Sequence, residues 1–262
     1  MSEGLNIQLV VPMAGTGSRF VDAGYAHPKP LLPIHGRPMY QIVLANLVTE
    51  DVASVTLVAQ RAHLLIDEIA NIEIRLQRPI NLIEIDHVTQ GPADSVRLAL
   101  EGLNPDWPVV TANSDQYVDF PLDRFYDAIC DRSVAGAVLT MEDGDPKWSF
   151  VAVDNRGHIT VVREKEVISR DATVGIYAFR TARILRDAIE SMFAADDRTN
   201  GEFYLAPAYN YLIQSGQRIK AVPTGPVSTV MYGLGTPEDY EAFLQHDIAV
   251  RASDRAREIL AD

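Results

Sequence analysis

The chain has 262 residues, 47% of them apolar and 23% charged, with a formal net charge of −13 at pH 7. That length suits one α/β enzyme domain, and that composition can bury a large core. The negative charge excludes a general attraction to DNA, RNA or anionic lipid, so any phosphate must be held locally by a few placed cations and backbone amides.

Met1-Ser2-Glu3-Gly4 lacks a basic segment followed by an apolar stretch, so no signal peptide is expected. Residues 7–12 read as a buried strand followed by a glycine-rich loop. Pro38 suits the first turn of a helix over 39–48. Strands follow at 54–59 and 80–85, with a helix over 63–76 between them, then a helix over 93–103 and a strand over 108–112. Such alternation predicts a mostly parallel sheet with helices on both faces. The single cysteine, Cys130, falls in a predicted helix, excludes an internal disulfide and reads as a small buried apolar residue. Beyond about residue 136 the pattern turns β-rich, with segments at 137–141, 150–154, 158–162 and 172–179. Asn155-Arg156-Gly157 marks a hairpin-like turn between two of them. Helices are predicted over 182–195 and 204–214, and a last strand over 218–223. Thr236 is an N-cap, with Pro237 first in a helix that carries Asp239 and runs towards the C-terminus. No apolar run is long enough to span a bilayer, no repeat or linker is present, and a cytoplasmic protein is expected.

Ala14-Gly15-Thr16-Gly17-Ser18-Arg19-Phe20 follows the first strand, at the sheet edge where α/β proteins bind ligands. Glycines there let amides approach phosphate oxygens. A dinucleotide fingerprint would need glycine where Phe20 stands, and no ribose-binding acid follows the second strand. A Walker A loop would end in Gly-Lys-Ser/Thr, which is absent. Instead Arg19 is followed by Pro28-Lys29-Pro30-Leu31, whose prolines restrict the backbone at Lys29. Two cations beside an amide-rich loop suit a triphosphate.

Together these segments resemble the signature of the nucleotidyltransferase superfamily of sugar-phosphate pyrophosphorylases. The resemblance implies an α/β/α sandwich around a mixed, mostly parallel sheet, Rossmann-like, in one domain over 1–262. A nucleotide-binding half would occupy about 1–135. An acceptor-binding half with the C-terminal helices would occupy 136–262. Its reaction joins an NMP to a small phosphorylated acceptor and releases pyrophosphate, with Mg²⁺ as cofactor.

The same resemblance assigns residues. Ala14 to Ser18, Gln90, Gly91, Ala93 and Asn113 would bind the nucleotide, Gln90 and Gly91 at its base. Arg19, Lys29 and Asp115 would be catalytic, with Asp115 also holding the metal. Lys147, Glu164, Lys165, Thr173 and Gly175 would face the acceptor, with Lys165 on its phosphate. Adjacent strand residues point to opposite faces, so Glu164 and Lys165 share a pocket only where the backbone is irregular. One departure stands out: where the family carries a second metal-binding aspartate, this chain has Gly233.

The nucleotide leans to a pyrimidine, CTP or UTP, in a branch like that of capsule and lipopolysaccharide cytidylyltransferases, with guanylyl transfer still open. The acceptor is a sugar 1-phosphate or a non-sugar phosphate. Two readings from other classes stay open: a catalytically silent binding module, supported by Gly233, and a metal-dependent glycosyltransferase, for which Asn113-Ser114-Asp115 has the spacing but lacks the first acid. No nucleic-acid or membrane partner is expected, and a homo-oligomer is open.

Overall fold

The computed structural model describes residues 5–227 and 229–260. The four N-terminal residues read above for a leader lie outside the described residues. The first half runs β1 (Ile7–Pro12), α1 (Ser18–Asp22), a small hairpin of β2 (Pro33–Ile34) and β3 (Arg37–Pro38), α2 (Met39–Leu47), β4 (Val52–Gln60), α3 (Ile66–Leu76), β5 (Ile80–Ile85), α4 (Pro92–Leu100), β6 (Val109–Ala112), β7 (Gln116–Val118) and α5 (Leu122–Tyr126). The second runs β8 (Gly136–Glu142), β9 (Ser149–Val153), β10 (Ile159–Glu164), β11 (Asp171–Phe179), α6 (Ala182–Ala194), α7 (Ala208–Gln214), β12 (Ile219–Pro226), β13 (Met231–Gly233), α8 (Pro237–Leu244) and α9 (Asp247–Leu260).

Among the described residues, nine strands form the main sheet. Four strands in the order β6-β1-β4-β5 run parallel, β11 joins them antiparallel to β6, and β12 pairs parallel with β8. One sheet therefore runs through both halves of the chain. β1 reads Ile-Gln-Leu-Val-Val-Pro and is buried along almost its whole length. Both of its faces are covered, as expected of a central parallel strand. Ile7, Leu9 and Val11 join one core with α2, α3, α5, α8 and α9, while Val10 joins a second core with α4, α6 and α7. This three-layer α/β/α arrangement is the fold expected from the sequence. No helix among the described residues is long and apolar enough to cross a membrane.

Several local expectations need correction. Cys130 is exposed and follows a short 3₁₀ turn over Asp127–Ile129, so it is neither helical nor a core residue. The helix expected from 63 is split: Arg61–His63 form a 3₁₀ turn, Leu64 adopts a left-handed φ of 53°, and α3 starts at Ile66. The helix expected from 204 starts at Ala208, with Pro207 at its N-cap. Residues 205–207 form a turn ahead of it, with the Leu205 carbonyl accepting from the Ala208 amide at 3.0 Å. The C-terminal helix is broken at Gln245-His246, where His246 Nδ1 accepts a bond from the Ile248 amide at 3.3 Å. Thr236 caps α8 as expected, accepting from the Asp239 amide at 3.1 Å.

Candidate active site

β1 and β6 are parallel neighbours, so the loops leaving their carboxyl ends emerge side by side. They open into a cleft of 690 Å³ lined by residues of both halves. The β1–α1 loop forms its floor. Gly17 caps α1 with a left-handed φ of 61°, and a Cβ there would stand 3.2 Å from Lys29 Cβ. Gly17 thus lets the Pro28-Lys29-Pro30 segment press against the loop. Gly15 has no protein atom within 4 Å of where its Cβ would be, so protein packing does not require a glycine there. Arg19 is exposed at the cleft wall, and Thr16 and Ser18 also face the cleft.

Lys29 Nζ donates to Asp115 Oδ2 at 2.8 Å, and both side chains are about one-fifth exposed (19% and 24%). A Cβ at Gly235 would stand 3.0 Å from that same Asp115 oxygen. Glycine there leaves the carboxylate room on its outer side. Beside Asp115, Gln116 is buried, lines the cleft, and its Nε2 has no hydrogen-bond partner among the described residues. A buried donor without a partner costs about 1–3 kcal/mol, which a ligand oxygen would recover. A carboxylate already carrying a cation, with space beyond it, has the oxygen donors that Mg²⁺ takes.

The acceptor-side candidates line the same cleft. β10 ends at Glu164, and Lys165 adopts a left-handed φ of 56°. That kink is the irregularity needed for two consecutive side chains to share the cleft, and both line it. Glu164 accepts a bond from the Ser149 hydroxyl. Burial raises its carboxyl above the usual range, opposed by Ser149 and Lys165. Lys165 Nζ lies 2.5 Å from the Tyr204 hydroxyl and 4.4 Å from the centre of its ring. Lys147 lies over Trp148, 4.7 Å from the ring centre, and 3.5 Å from Asp239 Oδ2.

Gly175 sits in an irregular stretch of β11 with a φ of 82°. A Cβ there would stand 2.4 Å from Asn113 Nδ2 and 2.5 Å from Gln116 Oε1. This glycine therefore makes room for two carboxamides. The Asn113 amide donates to the Gly175 carbonyl at 3.0 Å, and Asn113, Thr173 and Gly175 all line the cleft.

Two candidates are not brought in. Gln90 lies outside the cleft lining, where its Oε1 accepts from Arg198 Nη2 at 2.8 Å. Ala93 is fully buried in the second core. Gly91 does line the cleft, but a Cβ there would stand 2.6 Å from the Phe203 carbonyl oxygen. Glycine is already required there by the Phe203 backbone. Conversely, Gln116, Trp148, Glu202, Tyr204 and Asp239 line the cleft, although none of them is assigned a role there from the sequence. Gln116 directly follows the metal-candidate aspartate, and Pro207 signals that Tyr204 precedes its helix. These two were the readable signals.

The chain is 34% identical over 100 residues to CMP-5'-(3-aminopropyl)phosphonate synthase of Streptomyces rubellomurinus, covering 38% of this chain and 16% of that protein. It is 27% identical over 232 residues to the bifunctional protein GlmU of Paraburkholderia xenovorans, covering 84% of this chain and 47% of that one. The chain thus spans less than half the length of these curated relatives. Among solved structures it is similar to a nucleoside-diphosphate-sugar pyrophosphorylase from Vibrio cholerae, with a TM-score of 0.78 and 25% identity over 91% of this chain and 100% of that one. A family model described as nucleotidyl transferase matches residues 10–219, most of the sheet and nearly all of the cleft. By that match the chain belongs to the nucleotidyl transferase family.

Proposed function

We propose that the chain transfers the nucleoside monophosphate of an NTP, CTP before UTP, to a small phosphorylated or phosphonylated acceptor and releases pyrophosphate. The observation that carries this reading is the convergence in one cleft of the glycine loop, the Lys29–Asp115 pair and the Glu164–Lys165 kink. In the reaction an acceptor oxygen attacks the α-phosphorus, forming one P–O bond. The bond to the bridging oxygen breaks, and pyrophosphate leaves with its electron pair. A phosphate or phosphonate oxyanion is already a nucleophile at neutral pH, so no general base is required. The protein's task is positioning and charge neutralisation.

Arg19 and the loop amides hold the leaving pyrophosphate. Lys29 neutralises charge at the α-phosphate once a ligand draws it from Asp115. Lys165 anchors the acceptor phosphate, and Glu164 orients the rest of the acceptor through its free carboxylate oxygen. Asp115 would hold Mg²⁺, which when bound supplies further neutralisation of phosphate charge. The name of the Streptomyces relative supports CTP and admits a non-sugar phosphonate acceptor, while that of the Vibrio protein keeps sugar phosphates in view.

The test is pyrophosphate release with CTP, UTP, dTTP, GTP or ATP and Mg²⁺, against sugar 1-phosphates, phosphocholine and 3-aminopropylphosphonate. Release should require CTP and one acceptor class. Release only with purine nucleotides would overturn the nucleotide assignment. CTP binding with no release for any acceptor would favour a silent binding module, the reading that Gly233 supports.

A further inference from the structure

We infer that Asp239, on the first turn of α8, is the second carboxylate of the divalent-cation site, taking the part left open by glycine at position 233. The inference rests on the proposed reading that a metal–nucleotide complex occupies the cleft.

β13 pairs antiparallel with β7 so that Gly233 stands opposite Gln116, and the Leu234 amide donates to the Asp115 carbonyl at 2.8 Å. Position 233 is therefore next to Asp115 across the ladder, where a side chain would border the cation site. Glycine supplies none. The backbone does not demand glycine there: its φ is not left-handed, and a Cβ would meet Trp148 at 3.5 Å and Asp239 Oδ2 at 3.6 Å, both ordinary contacts. The space is real, and the carboxylate bordering it belongs to Asp239.

Asp239 is free for this task. The α8 cap is satisfied by the Thr236 hydroxyl bonding the Asp239 amide, so the Asp239 carboxylate is not needed to start the helix. That carboxylate is partly exposed and faces the cleft, with Lys147 Nζ 3.5 Å away. Asp115 and Asp239 thus each carry a lysine ammonium: Lys29 on Asp115 and Lys147 on Asp239. A divalent cation can replace both ammonium groups at once and release the two lysines towards phosphate oxygens. The orphaned Gln116 Nε2, buried beside Asp115, is an independent sign that an oxygen-bearing ligand completes this corner. Mg²⁺ commonly takes one or two protein carboxylates and fills its remaining positions with phosphate and water.

The test uses Mn²⁺ as the probe in crystals of the full chain with CTP, located by anomalous scattering. The expected result is one manganese bonded to carboxylate oxygens of both Asp115 and Asp239, with Lys147 displaced. In solution, electron paramagnetic resonance titration should show Asp239→Asn weakening Mn²⁺ binding about tenfold or more, the lower end of what a lost partner costs a metal site. Adding Gly233→Asp to that variant should restore binding. Manganese on Asp115 alone, with Asp239 still on Lys147, overturns the inference. So does unchanged Mn²⁺ affinity in Asp239→Asn. Manganese on both carboxylates in a protein that releases no pyrophosphate from any NTP would leave this inference standing and overturn the functional reading. An active enzyme with manganese on Asp115 alone would do the reverse.

Discussion

Glycines in this chain serve two different ends, and mutation can separate them. At Gly91 a Cβ would run into the Phe203 backbone at 2.6 Å, and the φ of 131° is one that side chains avoid. Gly91→Ala should destabilise the fold by about 1–3 kcal/mol, as overpacking does, read as a lowered melting temperature. At Gly15 nothing stands within 4 Å. Gly15→Ala should leave stability within about 0.5 kcal/mol of wild type, as for an ordinary surface change, yet raise the KM for CTP. Equal KM values in Gly15→Ala and wild type would mean that the loop does not cradle the nucleotide. Lys29 makes a sharper case because its ammonium already sits 2.8 Å from Asp115. Lys29→Ala should lower kcat about 10²–10³-fold, the range for removing one charge-stabilising donor, with CTP still bound. Turnover near wild type would remove Lys29 from catalysis. These side chains were legible because the loop and its two cations follow one strand at short spacing. Gln116 was legible only through its place directly after Asp115, and Asp239 was not, since its nearness to that strand end depends on a ladder between β7 and β13, two strands more than a hundred residues apart in the chain.

At the scale of elements, the sequence conveyed the alternation of strand and helix because buried runs and amphipathic spacing are local properties. It did not convey where backbone irregularities fall. The helix expected from residue 204 overlooked Pro207, and with it the non-helical segment that brings Tyr204 to Lys165. The Glu164-Lys165 pair demanded an irregular backbone that hydrophobic pattern cannot reveal, and the left-handed Lys165 supplies it. Such a conformation costs about 1–3 kcal/mol and persists where surrounding structure enforces it; here the Lys165 amide donates to the Trp148 carbonyl at 3.0 Å. The same bend buries Glu164 and raises its carboxyl above the ordinary value of 4.5. The folded chain then holds a proton that the unfolded chain has released, so Glu164 costs stability as pH rises through that interval. Glu164→Gln cannot ionise. Its melting temperature should gain on wild type as pH rises above about 4.5, with no such gain below. A difference that is constant with pH would mean that the carboxyl titrates normally.

Across the whole molecule, function follows from sheet order. β1 between β4 and β6 sets two loops side by side, and β11 against β6 carries the second half of the chain over the same edge. Neither half holds the cleft alone: Lys29 and Asp115 come from one, Lys165 and Tyr204 from the other. Fold class and layer count were readable from periodicity, whereas the joining of the halves rests on strand pairings between residues far apart in sequence. Arg19, Lys29, Lys147 and Lys165 line the cleft together with Asp115, Glu164, Glu202 and Asp239, so the lining is balanced in formal charge although the chain carries −13. The central claim is that the α-phosphorus of CTP moves onto an acceptor. The most direct measurement follows label from [α-³²P]CTP, with Mg²⁺ and the acceptor that supports pyrophosphate release, into a product resistant to phosphatase. Wild type should transfer the label in equal amount to the pyrophosphate released, and Asp115→Ala should transfer almost none. Label recovered only as free CMP, or equal transfer by both proteins, would contradict the assignment of this cleft as a nucleotidyl-transfer site.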